Sequence, residues 1–139
     1  MIAGIISILK NDSTIQTLVG KNKIDSKYKV YPVRAADLEQ HPYITVWITG
    51  KLPYECKGID ATTFKVSFEV HSYAKSYDEA QRIDEAVEEA LEGQSGTFET
   101  YVFQEILFKN TKDMFSEYAG GLYVRVSTYE ALINEDRAT

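Results

Sequence analysis

Few residues of this chain could do chemistry, and they do not converge. The two histidines are His41 and His71, and His71 lies two residues from Glu69 on a segment with strand-like alternation. A histidine beside a carboxylate could act in acid–base catalysis or bind a metal, but both functions need further convergent groups. The single cysteine, Cys56, has no second thiol for a disulfide or a metal cluster, which is usual in a reducing cytosol. The pattern favours solvated side chains and predicts no catalytic residue, no metal site and no cofactor.

The motifs of the common enzyme classes are also missing from the sequence. It contains no Gly-x-Ser-x-Gly elbow, no His-Glu-x-x-His pair and no glycine-rich phosphate loop. The glycines at 93, 96, 120 and 121 have the spacing of turn residues. We therefore predict that the protein is not an enzyme.

The net charge of the 139-residue chain is −6, and the segment 76–93 carries all of it. Arg82 is the only base in that segment, and the charges of the other residues cancel. A protein that binds along nucleic acid needs basic side chains that neutralise phosphates, so an acidic chain is a poor candidate for this function. A local basic patch is still compatible with the composition. The acids of the segment are Asp78, Glu79, Asp84, Glu85, Glu88, Glu89 and Glu92.

This acidic segment also gives the clearest helix signal. Ser76 and Glu79 have the spacing of a capping box, and Gly93 stands where a left-handed residue ends a helix. An apolar stripe along one side predicts that the helix covers one face of a sheet. The stripe consists of Ala80, Ile83, Val87, Ala90 and Leu91.

The charged side of this helix has three interpretations. Simple solvation of an amphipathic helix is the commonest, and contact with a partner protein is the second. In the third, Glu85, Glu88 and Glu89 form a wall that repels phosphate, past which DNA slides without binding.

Shorter elements precede this helix. Apolar periodicity predicts a helix over residues 2–10, and turn formers followed by an N-cap predict a second helix over 14–19. A lysine-rich connector, 21–34, follows and includes a strand at 28–33. Pro32 places that strand at a sheet edge, because proline cannot donate to a ladder.

Alternation of β-branched and aromatic residues predicts the other strands. The last strand is expected to point Leu122, Val124 and Val126 into the core. Long loops are expected at 50–61 and 110–121. The predicted strands cover residues 43–49, 64–71, 101–109 and 122–129.

These elements predict one α+β domain over residues 1–133 and a flexible C-terminal tail over 134–139. Its sheet is expected to be antiparallel, or mixed, with four to five strands, one long helix on one face and short N-terminal helices. The sequence has no apolar run long enough for a membrane span and no pattern of an export signal.

The sheet face away from the long helix is predicted to carry aromatic residues among charges. Tyrosine and tryptophan combine large contact area with a polar group, so such a face suits contact with another protein. The equal alternative is that the N-terminal helices cover this face within the monomer. The candidate interface residues are Tyr43, Trp47, Tyr54, Lys65, Tyr123, Arg125 and Tyr129.

Several local strings resemble the tail-completion proteins of long-tailed bacteriophages and prophages. They are the Pro-Tyr strand start at 42–46, the strand 64–73, and the small-residue helix 80–93. The N-terminal stretch 12–20 and the closing strand 121–126 also fit, so the resemblance spans nearly the whole chain. The longer 50–61 loop and the lysine-rich connector depart from the family pattern.

The resemblance implies a structural subunit with no catalytic residues. It is similar to tail terminators that form a ring, commonly a hexamer, which caps the finished tail tube and docks the DNA-filled head. The implied partners are copies of the chain itself, the tail tube protein and the head–tail connector proteins. DNA would only pass through, no membrane would be involved, and the location would be the virion tail, assembled in the bacterial host cytoplasm.

A small ligand-binding or regulatory α+β module is the alternative. Such a module should be monomeric or dimeric and should have a polar-lined pocket. A ring component should instead present an aromatic lateral face.

Overall fold

The computed structural model describes residues 1–33, 40–53, 63–99, 101–117 and 121–135. They form three helices and one curled, mixed sheet of seven strands, which confirms the predicted α+β class. The helices are α1 (Ile2–Lys10), α2 (Ser13–Val19) and α3 (Tyr77–Leu91). The strands are β1 (Val30–Pro32), β2 (Tyr43–Pro53), β3 (Thr63–Ala74), β4 (Gly96–Phe98), β5 (Tyr101–Phe103), β6 (Leu107–Ser116) and β7 (Leu122–Glu135).

The sheet follows the order β1-β2-β3-β7-β5-β4, and β6 pairs with β7 beside this path. Among the described strands, only β1 pairs in parallel, with β2, so the sheet is mixed. The long strand β7 pairs with β3 along one edge and with both β5 and β6 along the other. It is therefore the central strand that joins the two ends of the molecule.

The predicted count of four to five strands was wrong. The predicted strand 101–109 is split between β5 and β6, and β4 begins at Gly96, which was predicted to be a turn residue. β6 also runs far into the predicted loop 110–121, and β2 continues to Pro53. Polar, exposed edge strands lack the apolar alternation that marks a strand in a sequence. The residues of the expected loop from 54 to 61 lie outside the described part.

All three helices lie on one face of the sheet and share one core with it. Ile5 of α1, Ile15 of α2 and Ile83 of α3 are fully buried in the same cluster as Val46 and Phe68 of the sheet. The alternative in which residues 2–19 cover the opposite face was therefore wrong. Among the described helices, none is long and apolar enough to cross a membrane.

The two sides of β7 are the reverse of the prediction. Leu122 and Val126 are buried, but they lie on the side away from the helices, and Leu122 contacts the separate cluster around Tyr43. The odd-numbered residues of β7 face α3 instead, as the stacking of Tyr129 on Phe68 demonstrates. A central strand buried on both sides gives no clear alternation, so its orientation cannot be assigned from pattern alone.

The ends of the elements follow from local chemistry. The side chain of Ser76 accepts a hydrogen bond from the amide of Glu79 at 3.2 Å, as the capping box predicted, and α3 begins at Tyr77. Gly93 adopts φ +75°, where a Cβ would be strained. β7 runs to Glu135, so residues 134 and 135 of the predicted tail belong to a strand, and residues 136–139 lie outside the described part.

Candidate protein-protein interface

Two of the seven candidate interface residues are core residues of the monomer. Tyr43 is 2% exposed and Tyr129 is fully buried, so their prediction as exposed aromatics was wrong. Tyr43 stacks on Tyr73 with ring centroids 4.6 Å apart, and burial raises its pKa to about 12. Tyr129 lies between Phe68 and Phe108. Tyrosine fits both a core and an interface, so alternation does not distinguish the two positions.

The sheet face away from the helices carries Trp47 and Lys65 among polar groups. The Trp47 ring stacks on His71 at 5.4 Å, and its Nε1 donates to Thr45 Oγ1 at 3.1 Å. His71 Nε2 lies 3.1 Å from Glu69 Oε1. These contacts satisfy the polar atoms of a half-buried cluster. Within the described ranges, no group of three or more His, Cys, Asp or Glu residues is arranged to hold a metal ion.

The exposed Lys65 side chain forms an ion pair on this same face. Its Nζ lies 3.3 Å from Glu130 Oε1. Tyr54, another candidate, lies outside the described residues. Tyr123 and Arg125 lie on the helix side, so the candidates do not share one face.

Tyr123 belongs to an exposed aromatic cluster at the start of α3. Its ring contacts Tyr77 at 6.2 Å and Phe115 at 5.3 Å, both edge to face. The three residues are 40%, 42% and 58% exposed, respectively. Neither Tyr77 nor Phe115 was predicted as an interface residue, because Tyr77 lies at a helix start in the sequence and the segment of Phe115 was predicted to be a loop.

A buried charge network lies beside the aromatic cluster. Asp84 of α3 is 2% exposed, accepts a hydrogen bond from Ser127, and lies 3.3 Å from Arg125 Nε. Arg125 Nε also lies 3.7 Å from Asp113 Oδ1 of β6. The hydroxyl groups of Ser127 and Thr111 form a hydrogen bond of 2.8 Å. The network therefore ties α3, β6 and β7 together through side chains.

Burial is the main cause that raises the pKa of Asp84, while the Ser127 hydrogen bond and Arg125 act in the opposite direction. From the sequence, Asp84 was predicted only to be one of the seven acids of the helix. Its spacing from Ala80, Val87 and Leu91 places it at the edge of the apolar stripe, which is the signal that it is buried.

The acidic side of α3 borders β6. Glu85 and Glu89 are exposed, and Glu88 is half-buried. Burial, followed by the charges of Asp84, Glu92 and Glu85, raises the pKa of Glu88. Glu92 accepts a hydrogen bond from the Phe108 amide at 2.6 Å, which fixes the end of α3 against the start of β6.

Comparison with known proteins adds a family and a fold. A family model described as "Tail completion protein gp17" matches residues 3–134. A chain of the solved structure "Virion of native gene transfer agent (GTA) particle" is similar with a TM-score of 0.69, at 16% sequence identity, over 95% of this chain and 93% of that one. At this identity the likeness is one of fold. No curated protein matches the chain.

Proposed function

This chain belongs to the tail completion protein gp17 family, and from that premise we propose that it is the tail-terminator subunit that caps the tail tube and joins it to the head. Its coarser identity, a structural protein of a phage tail, follows from the family. The observation that carries the proposal is the extent of the match, residues 3–134, which covers all three helices and nearly all of the sheet. None of the observations above specifically supports the alternative, a ligand-binding or regulatory module.

A terminator has to form a closed ring around the end of a tube. Head-to-tail contacts close into a ring only if the contacting surfaces differ and the rotation per subunit returns to the start. Different surfaces at the two ends of the sheet support this proposal, because β1 is short and ends in Pro32 while β6 is long and carries the exposed apolar side chains of Leu107, Met114 and Phe115. We propose a ring of six copies of the chain, whose other partners are the tail tube protein and the head–tail connector proteins.

Assignment of the individual candidates stays part of the proposal. Trp47 and Lys65 share the face away from the helices, so they would meet the same partner. Tyr123 and Arg125 lie at the opposite face, so they would meet a different one. Glu85, Glu88 and Glu89 are retained as a proposed DNA-repelling face.

Removal of the protein from the phage or prophage that encodes it tests this function. We expect free heads and tail tubes that lack a cap or vary in length, as seen by electron microscopy of the lysate. Purified protein added to these tubes should restore joined particles and infectivity, while the same protein denatured by heat should not. Normal joined particles without the protein would contradict the proposal. Finding the protein in purified virions, after assembly in the host cytoplasm, would support its proposed location.

A further inference from the structure

One edge of the sheet is exposed and unpaired on its outer side. β6 pairs with β7, and within the described residues no strand pairs with its other edge. At this edge the aromatic cluster of Tyr77, Phe115 and Tyr123 lies on the helix side of the sheet, and Met114, which is 53% exposed, lies on the other side of β6. Exposed strand edges with apolar side chains associate readily unless they are covered or blunted by charge.

Negative charge accompanies this apolar edge. Glu85, Glu88 and Glu92 follow one another along the side of α3 that borders β6, and none of the three forms an ion pair in the described part of the chain. Burial is the main cause of the raised pKa of Glu88, and repulsion from Asp84, Glu92 and Glu85 adds to it, while Arg125 acts in the opposite direction. The free protein therefore has an apolar edge with uncompensated carboxylates beside it, which we call the acidic edge.

A surface with the opposite properties lies at the other end of the sheet. A groove of about 500 Å³ separates α1 from residues 25–32, and apolar Ile2, Ile6 and Pro32 help to line it. Lys10 and Lys27 also line this groove, together with Asp25 and Glu99. Residues 1–29 hold five lysines against two aspartates, and Lys21, Lys23 and Lys27 are exposed. We call this surface the lysine face.

The two surfaces lie at different places in the strand order. β2, β3 and β7 stand between β1 and β6, a path of about 19 Å measured along the curled sheet at about 4.8 Å per strand. Strand addition at β1 is disfavoured, because Pro32 has no amide to donate. The lysine face is therefore suited to receive side chains, and the acidic edge is suited to present them.

We propose that the acidic edge of one copy binds the lysine face of a second copy, head to tail. The aromatic cluster would contact the apolar groove beside α1, while Glu85, Glu88 and Glu92 would face the lysines of the neighbour. Each half of the contact combines apolar area with an excess of charge of one sign, although Asp25 and Glu99 also line the groove, and the opposite excess charges make a second copy the complementary partner. This inference rests on the proposed ring, for which it supplies the lateral contact.

Charge reversal on the two surfaces tests the contact. Glu85→Lys with Glu88→Lys should raise the protein concentration at which the full chain self-associates by at least about tenfold, and Lys23→Glu with Lys27→Glu should do the same. A chain with all four changes should associate again, because both signs are exchanged. A mixture of the two reversed variants should also associate beyond dimers, because the unchanged surfaces of the two variants match each other and so do the two reversed surfaces. Analytical ultracentrifugation at low and high salt measures these states.

Matched variants separate the contact from general charge effects. Glu89→Lys makes the same change on the same helix, but Glu89 lies further from β6, so it should alter self-association less than Glu85→Lys alone. Phe115→Ser tests the apolar part without a change in charge and should weaken association. Circular dichroism of each variant verifies that α3 is retained, and the single Glu85→Lys replaces the double variant if Glu88→Lys unfolds the chain.

The possible outcomes distinguish a failure of the proposed contact from a failure of the proposed ring. Rings of unchanged stability in both reversed variants would overturn the contact and leave the terminator function standing. If the reversed variants still form rings but no longer bind tail tubes, the contact between copies is overturned, and the tail tube is the partner of these surfaces. Open filaments held by the contact would support it and contradict a closed ring. A chain that stays monomeric at every concentration, and also on added tail tubes, would overturn both.

Discussion

At the scale of single residues, Asp84 is the charge that the fold has to offset in its interior. Its carboxylate is almost fully buried, and Arg125 and Ser127 of β7 are its partners. Removal of one partner from a buried pair costs more than the pair contributes, because the other charge stays without a counter-charge. The network is therefore better understood as a device that fixes α3 on β6 and β7 than as a source of large net stability.

Arg125→Met should lower the free energy of unfolding by about 3 kcal/mol, because it leaves a buried carboxylate without its cation. Asp84→Asn should cost less, since Arg125 still lies 3.7 Å from Asp113. The double variant should be more stable than Arg125→Met alone, which urea unfolding of all four proteins can measure. Lys65→Met removes an exposed ion pair and, as the control, should change stability by less than about 1 kcal/mol. Additive effects at Asp84 and Arg125 would contradict a coupled network.

The raised pKa of Asp84 also predicts the pH dependence of stability. The folded protein binds the proton of the Asp84 carboxyl more tightly than the unfolded chain does, in which this carboxyl has its ordinary pKa of 3.8. The free energy of unfolding should therefore fall as pH rises from 3.8 through the raised pKa, and Asp84→Asn should reduce that fall. Ser127→Ala removes a bond to the carboxylate and should extend the fall to higher pH. Urea unfolding at several pH values gives these slopes, and equal slopes for wild type and Asp84→Asn would refute the assignment.

At the scale of elements, the sequence predicted best where one side of an element is buried and the other is solvated. α3 has such an apolar stripe and an N-cap, and its start at Tyr77 follows from the hydrogen bond of Ser76. Only residues 107–109 of β6 lay in a predicted strand, because the exposed residues that follow show no alternation. The burial of Tyr43 and Tyr129 depends on which strands become neighbours in the folded sheet. The pattern of residues along the sequence does not indicate which strands pair.

The contact of α1 with the β4–β5 hairpin gives a prediction at this scale. A Cβ on Gly4 would lie 2.7 Å from Phe103 Cε1 and 3.1 Å from the Phe98 carbonyl oxygen. Gly4→Ala gains about 1 kcal/mol of helix propensity, but overpacking costs about 1–3 kcal/mol, so we expect a net loss. Thermal unfolding should detect it, with Ser7→Ala on the same helix as a control of little effect. A more stable Gly4→Ala protein would indicate that the hairpin moves freely away from α1.

At the scale of the whole molecule, charge is distributed between the two ends of the sheet. The resemblance alone suggested a ring, but it did not indicate which surfaces meet, and the candidates chosen from sequence lie on two faces. Strand order places the lysine face and the acidic edge at opposite ends. Such a separation requires the assembled sheet, because residues 10–29 and 77–92 lie far apart along the chain, and only their positions on the sheet make them two ends of one molecule.

The position of the acidic helix face in a ring can be determined by neutralisation. If Glu85 and Glu88 face the lysines of a neighbour, Gln at both positions should weaken the ring, because the attraction is lost. If they and Glu89 line the passage for DNA, the triple Gln variant should still form rings, and DNA should be retained by them, because the repulsion is lost. Native mass spectrometry measures the first effect, and retention of radiolabelled DNA on assembled tails measures the second. Intact rings and fully infectious particles in the triple variant would identify the face as solvated, and would reject both roles at once.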